Sequence, residues 1–209
     1  MILKIHPENP QERLVEKVKE CLENDGVIIY PTDTVYGIGC DLRSKKAFET
    51  ICRIKGIKPE QARFSILCSD FKMVGTYATR ITTPVYKMLR RALPGPYTFI
   101  LEASHEVPRF FQPKKKTVGV RMSAHPIPAM IIEMLGRPLV STSLHSSDEI
   151  VVYDTDPENI EKHFGKLVEM VIDGGYGNNV PSTVIDCSKG DGDIEVIREG
   201  IGSLDILRG

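Results

Sequence analysis

The sequence predicts an α/β domain with a mixed sheet, and three observations lead to that fold class. Apolar runs typical of strands alternate with segments that carry apolar residues at helical spacing, which is the pattern of a layered α/β fold. Connections such as those within 97–122 are too short for crossover helices, so some strands must pair antiparallel. The chain has 209 residues, 41% of them hydrophobic, and no internal repeat or low-complexity linker, so we expect one domain over residues 1–209.

Capping residues and helical spacing predict six helices. Asn9 and Pro10 have the character of an N-cap and first helical residue, and Gly26 is expected to end that helix. Ser44 is expected to cap the second helix, which would bring Lys55 near its end on a partly apolar face. The other four helices are predicted at Asp70–Tyr77, Pro84–Leu93, Pro126–Leu135 and Pro157–Phe164.

Short β-branched and apolar runs predict nine strands. Proline cannot donate to a strand ladder, so Pro31 should end the second of them. The following stretch, Pro31 to Gly39, is expected to be a loop, and residues 103–116 and 144–156 should be polar connections. The strands are predicted at Ile2–Ile5, Val27–Tyr30, Phe64–Cys68, Tyr97–Glu102, Thr117–Met122, Leu139–Thr142, Leu167–Ile172, Thr183–Asp186 and Glu195–Arg198.

Composition and charge argue against several classes of protein. The formal net charge is −1, so any surface for nucleic acid would have to be a local patch. No stretch is apolar enough for a signal peptide or a membrane span, and we expect a cytoplasmic protein without membrane contact. Five cysteines without a CxxC pair argue against a disulfide framework, and the five histidines lack zinc-binding spacing, so no protein-held metal is expected.

The stretch PTDTVYGIG, Pro31 to Gly39, combines hydroxyl side chains with glycines, which suits a loop that lies against a ligand. A plain turn whose hydroxyls bond their own backbone is the alternative. The string resembles the signature of the YrdC/YciO family, the threonylcarbamoyl-AMP synthases and their relatives. The resemblance continues in the same order through PGPYTFIL from Pro94, VGVRMSAHPI from Val118, PLVSTSL from Pro138, PSTVID from Pro181 and IREG from Ile197.

This resemblance implies a twisted mixed sheet with flanking helices around a concave, basic cleft. It implies the ATP-dependent formation of threonylcarbamoyl-AMP from L-threonine and bicarbonate, the precursor of threonylcarbamoyl adenosine in tRNA. Magnesium would arrive with the ATP phosphates rather than on protein ligands. The alternative is a protein of the same fold that binds double-stranded RNA or tRNA through Arg53, Lys55, Lys58 and Lys114 to Lys116 without synthase activity.

The resemblance also assigns roles to individual residues. An isolated arginine or lysine is usually a solvated surface charge, but Arg121 lies within an apolar strand and Arg198 ends a strand, where an anionic partner is expected. Lys55 and Arg121 are the expected catalytic residues. L-Threonine is expected at Thr32, Thr34, Tyr36 and Ser182, and ATP at Lys55, Arg121, Ser141, Ser143 and Arg198.

Three departures bring the chain nearer to the YciO branch than to the synthase branch. The KxR motif of the family reads Lys55-Gly56-Ile57 here, so its second cation is missing. Arg63 or Lys58 could supply that charge instead. Cys68 takes the place of a histidine, and Leu144-His145 replaces Ala-Asn in the STSAN block.

Overall fold

The computed structural model describes residues 1–111, 116–144, 154–189 and 193–207. Six helices within these ranges are α1 (Glu12–Glu23), α2 (Lys45–Ile54), α3 (Phe71–Tyr77), α4 (Thr83–Ala92), α5 (Pro126–Leu135) and α6 (Pro157–Phe164). The strands are β1 (Ile2–Lys4), β2 (Ile28–Tyr30), β3 (Gly37–Asp41), β4 (Ser65–Leu67), β5 (Ala78–Thr79), β6 (Tyr97–Ala103), β7 (Thr117–Arg121), β8 (Leu139–Ser143), β9 (Met170–Asp173), β10 (Thr183–Asp186) and β11 (Glu195–Arg198). Two 3-10 turns cover Pro59–Gln61 and Leu204–Leu207.

These elements confirm the predicted fold class, a single α/β domain with a mixed sheet and flanking helices. Local chemistry explains the accurate boundaries. Ser44 caps α2 by accepting a hydrogen bond from the Ala47 amide, Asp70 caps α3 in the same way, and Gly136 ends α5 in the left-handed conformation.

Several predicted boundaries were wrong. The first helix ends at Glu23 with Asn24 as its C-cap and not at Gly26, and strand β9 begins at Met170 and not at Leu167. The first helix begins at Glu12 with Gln11 as its N-cap, because the chain between β1 and α1 turns at His6, whose Nδ1 accepts hydrogen bonds from the Glu8 and Asn9 amides. The extent of the signature loop was also wrong, since Gly37 and Gly39 belong to strand β3. Short strand β5 and the two 3-10 turns gave no signal in the sequence.

The strands form one sheet in the order β1-β9-β2-β3-β8-β4-β7-β6-β10-β11, with β5 paired to β6. The pairs β1/β9, β2/β9, β4/β7 and β6/β10 are parallel, and the remaining pairs are antiparallel. The mixed character expected from the short connections is therefore observed. Strand β1 pairs with β9, which is far away in the sequence, so the sheet is complete only when these distant segments pair.

Side chains alternate across a sheet, and the register divides them between two faces. On one face, residues of β2, β4, β8 and β9 pack under helices α1 and α5. The other face holds the larger apolar core beneath α2, α3, α4 and α6. Helices α1 and α5 cover only part of their face, and the uncovered part carries the site described below. Within the described ranges, no helix has the length and apolar character needed to cross a membrane.

Candidate functional site

A cavity of about 330 Å³ lies on the sheet face that α1 and α5 leave uncovered. Its volume is in the range of small-molecule sites. Three arginines are among the described residues that line it, and no aspartate or glutamate is. The lining consists of Val35, Ala62, Arg63, Phe64, Ser65, Thr98, Ile100, Phe111, Thr117, Gly119, Arg121, Ser141, Thr142, Ser143, Pro181, Ser182, Val184 and Arg198.

The floor of this cavity is a row of small side chains that crosses three strands. Ser141 on β8 is opposite Ser65 on β4, and Ser65 is opposite Gly119 on β7. Directly paired residues point to the same face, so these three form one flat surface. A methyl group on Gly119 would approach the Ser65 Cβ to 3.2 Å, which shows how closely the row is packed. Small residues here leave space where branched side chains would fill it.

Arg121 connects the cavity to the signature loop. Its residue surface is only 8% exposed. One guanidinium nitrogen, Nη2, donates to Asp33 Oδ1 at 2.6 Å, to Thr34 Oγ1 at 2.7 Å and to Thr32 Oγ1 at 3.3 Å. Arg121 Nε and Asp33 Oδ2 are the buried side-chain atoms without a hydrogen-bond partner in the described part of the chain. The arginine therefore holds Thr32 and Thr34 in place while its buried Nε makes no hydrogen bond.

Lys55 meets the site from the end of helix α2. It is the C-cap residue of that helix, and its Nζ donates to the Ser143 carbonyl at 3.1 Å. Burial lowers the pKa of Lys55 to about 8, since a half-buried ammonium loses part of its hydration. The structure thus brings Lys55 next to Ser143, which lines the cavity, although Lys55 itself is not part of the described lining.

Ser182 and Arg198 close the opposite side of the cavity. Arg198 donates from Nη2 to the Ser182 carbonyl at 2.8 Å and from Nε to the same oxygen at 3.1 Å. The Ser182 hydroxyl lies 2.9 Å from Thr98 Oγ1. Ser182 is buried, whereas Arg198 is exposed, and both residues contribute to the cavity lining. Their expected roles in binding threonine and ATP remain predictions.

The cavity lining in the described ranges does not include Tyr36, an expected threonine ligand. Its hydroxyl donates to the Gly175 carbonyl at 2.7 Å and accepts from the Gly174 amide at 3.3 Å. Burial raises the pKa of this phenol well above its ordinary value. Tyr36 thereby ties the signature loop to the segment after β9. Thr32 and Thr34 are likewise buried against Arg121 rather than part of the lining.

The structure distinguishes the two candidates for the missing cation of the KxR motif. Ile57 is partly buried and packs against the larger core. Arg63 lines the cavity, with Nη1 3.4 Å from the Ala62 carbonyl. Lys58 is exposed and is absent from the described lining. Of the two, Arg63 is the cation that the cavity contains.

Sequence reasoning missed Ser65, Thr98 and Gly119. Each stands in a strand between two large apolar residues, as in Phe64-Ser65-Ile66 and Val118-Gly119-Val120. The available signal was this alternation, because small residues at every second position mark one uncovered face. Lys114, Lys115 and His145, named in the sequence analysis, lie outside the described residues. The described residues contain no group of three His, Cys, Asp or Glu suited to a metal ion.

Fold and cavity together define an α/β protein with a polar ligand site on one open face of a mixed sheet. The Sua5/YciO/YrdC family model, described as "Telomere recombination", matches residues 20–200. The chain therefore belongs to the Sua5/YciO/YrdC family.

Individual relatives agree with this assignment. The chain is 40% identical to YciO of Escherichia coli K12 over 201 residues, covering 96% of this chain and 95% of the relative. It is 32% identical to a threonylcarbamoyl-AMP synthase of Nitrosococcus oceani over 166 residues, covering 79% of this chain and 88% of the relative. The resemblance to the YciO branch inferred from the sequence is confirmed.

Solved structures show the same fold. The crystal structure of E. coli YciO superposes with a TM-score of 0.91 at 38% identity, covering 99% of this chain and 98% of that one. The crystal structure of P. abyssi Sua5 complexed with L-threonine gives a TM-score of 0.89 at 28% identity. The superposition covers 100% of this chain and 60% of the Sua5 chain. The domain described here thus corresponds to part of Sua5.

Proposed function

We propose that the protein forms threonylcarbamoyl-AMP from ATP, L-threonine and bicarbonate. The observation that carries this proposal is the cavity itself. Arg63, Arg121 and Arg198 line it together with several hydroxyls, and its described lining has no carboxylate. Such a lining suits a ligand with several anionic oxygens. Relatives named threonylcarbamoyl-AMP synthase and a Sua5 structure with L-threonine support the choice of reaction.

The reaction has two bond-forming steps that atoms of this cavity could assist. The threonine amine attacks the bicarbonate carbon, water is lost and a carbamate forms. A carbamate oxygen then attacks the α-phosphorus of ATP, the bond between the α- and β-phosphates breaks and pyrophosphate leaves. Neither step needs a covalent enzyme intermediate, so positioning and charge stabilisation supply most of the rate.

Three side chains are suited to the charge stabilisation. Arg198 is exposed at the edge of the cavity and can donate to phosphate oxygens. Arg63 supplies the charge that Ile57 does not. Lys55 can stabilise negative charge beside Ser143 while its amine is protonated. Magnesium, if required, would be carried by the ATP phosphates, since the described lining offers it no carboxylate.

The test is pyrophosphate release from ATP by the purified protein. We expect release that depends on both L-threonine and bicarbonate, with threonylcarbamoyl-AMP identified by mass spectrometry. Serine in place of threonine should measure how far the site selects the methyl group. Release independent of threonine, or no release at millimolar substrates, would refute the proposal. A salt-sensitive affinity for double-stranded RNA in the same preparation would then favour the alternative function.

A further inference from the structure

Tyr30 is a buried phenol that joins the covered part of the sheet face to the cavity. Its residue surface is 0% exposed. The hydroxyl donates to Ser141 Oγ at 2.6 Å, and this is a contact between strands β2 and β8, which are not neighbours. A buried hydroxyl requires a hydrogen-bond partner, and a phenol that reaches across an intervening strand to find one is a specific arrangement.

The glycines of β3 make that reach possible. Gly37 is directly opposite Tyr30, and Gly39 is directly opposite Ser141, so the phenol crosses β3 over these two residues. A Cβ on Gly37 would lie 3.2 Å from Tyr30 Cζ. A Cβ on Gly39 would collide with the Val140 carbonyl oxygen and would lie 3.0 Å from Tyr30 Cε1. The path of the tyrosine side chain thus accounts for Gly37, and at Gly39 the tyrosine and the Val140 carbonyl together leave no room for a side chain.

The contact fixes how Ser141 can serve the cavity. Ser141 Oγ accepts a hydrogen bond from the Tyr30 hydroxyl, and the Ser141 carbonyl accepts one from Ser65 Oγ at 3.2 Å. No acceptor for the Ser141 hydroxyl proton occurs among the described residues, and Ser141 lines the cavity. A hydroxyl that accepts on one side directs its own proton elsewhere. The Ser141 hydroxyl can therefore donate its proton to a ligand in the cavity.

We propose that Tyr30 is a positioning residue, which holds Ser141 as a hydrogen-bond donor to an acceptor oxygen of the ligand, a phosphate or a carboxylate. This inference rests on the proposed function for the identity of the ligand, since ATP supplies phosphate oxygens and threonine a carboxylate. Burial raises the pKa of Tyr30 to about 12, so the phenol keeps its proton at neutral pH and remains a donor.

The test is a binding cycle with Tyr30→Phe, Ser141→Ala and the double variant, measured by calorimetry. The ligands are a nonhydrolysable ATP analogue and, separately, L-threonine, which distinguishes phosphate from carboxylate. Each single variant should bind one of these ligands roughly three- to tenfold more weakly, the effect of one hydrogen bond. The double variant should be no weaker than Ser141→Ala alone, because Tyr30 acts only through Ser141.

Tyr97→Phe is the matched control. Tyr97 also donates its hydroxyl to a neighbour, the Ser203 carbonyl at 3.0 Å, but it is outside the described cavity lining. Loss of the Tyr97 hydroxyl should lower the free energy of unfolding without changing the affinity for the ATP analogue or for L-threonine. A merely structural role for Tyr30 would give effects that add to those of Ser141→Ala, and this result would overturn the inference. Unchanged affinity of Tyr30→Phe for both ligands would also overturn it.

Failure of the proposed function gives a different result. If the unmodified protein binds neither the ATP analogue nor threonine, the synthase proposal is refuted, and inorganic pyrophosphate becomes the probe of the same cycle. Weaker pyrophosphate binding by Tyr30→Phe, absent from the Tyr97→Phe control, would still support the positioning role. No pyrophosphate binding, or equal binding by Tyr30→Phe, would overturn it.

Discussion

Two regions of one sheet face differ sharply although they lie on the same strands. Leu67 on β4 and Leu139 on β8 are fully buried and pack with the helix α5 cluster. Two residues away along these strands, Ser65 and Ser141 point to the same face and line the cavity. One change of side-chain character within each strand thus separates core from site.

The difference shows what keeps the cavity open. Apolar side chains gain free energy by burial under a helix, at about 25 cal/mol per Å² of apolar surface. Hydroxyls and glycine gain little from such burial, so the row across β8, β4 and β7 offers a helix no comparable stabilisation. The cavity is therefore encoded in strand residues as much as in the signature loop.

Arg121 lies opposite Leu67, where the covered region meets the open one, and its replacement should give the largest loss of stability. Arg121→Ala leaves the partly buried Asp33 carboxylate without its cation, and breaking a pair with so little solvent exposure costs about 3–5 kcal/mol of unfolding free energy. Urea unfolding measures the loss. Arg198→Ala removes an arginine that is exposed to solvent but donates to the Ser182 carbonyl, and its cost should be smaller, about 1–2 kcal/mol. Equal costs for both variants would contradict the distinction between them.

A comparison within one strand should give the next largest effect. Leu67→Ala opens a void beneath α5 and should reduce the unfolding free energy by about 2–5 kcal/mol. Ser65→Ala removes one hydroxyl from the open region and should cost no more than about 1.5 kcal/mol. Thermal and urea unfolding of the two variants provide the check. If Ser65→Ala proved as destabilising as Leu67→Ala, the open region would be part of the core.

The third effect concerns catalysis in the open region. Arg63→Ala should slow threonine-dependent pyrophosphate release by roughly ten- to a hundredfold, since a charge-assisted hydrogen bond contributes about 1.5–3 kcal/mol. Lys58→Ala should leave the rate unchanged, and Ile57→Arg should give no gain because the charge is already present. If Lys58→Ala slowed pyrophosphate release and Arg63→Ala did not, Lys58 and not Arg63 would supply the charge that is absent at Ile57.

The smallest effect is a pH dependence at Lys55. Burial lowers the pKa of this lysine to about 8, so its amine loses the proton above that pH in the free protein. Binding of an anionic phosphate favours the charged amine, and affinity for the ATP analogue should therefore fall as pH rises through this pKa. One pH unit above it, roughly a tenth of the amines remain charged, which limits the loss to about tenfold.

Lys55→Arg is the control, because a guanidinium stays protonated throughout this range. Its affinity should be flat over the same pH interval. An equally steep fall in Lys55→Arg would assign the dependence to another group.

Much of this architecture follows from the sequence, and particular residues show where prediction ends. Ser44 and Asp70 act at short range, so their caps could be identified from neighbouring residues. Arg121 was recognisable because a charge within an apolar strand requires a partner. Tyr30 and the glycines of β3 depend on strand order, which brings β2, β3 and β8 side by side. Tertiary packing determines which distant strands pair, and local sequence patterns do not predict that pairing.

The pairing of β1 with β9 also has a consequence for how the chain folds. Ile2 is opposite Val171, and Ile28 is opposite Met170, so neither β1 nor β2 has its parallel neighbour until residues near position 170 have been synthesised. Contacts between such distant positions slow folding, because a long loop must close before they form. During synthesis, one edge of the apolar strand Ile28–Tyr30 therefore stays unpaired until β9 has been synthesised. An unpaired apolar edge makes the nascent chain vulnerable to aggregation.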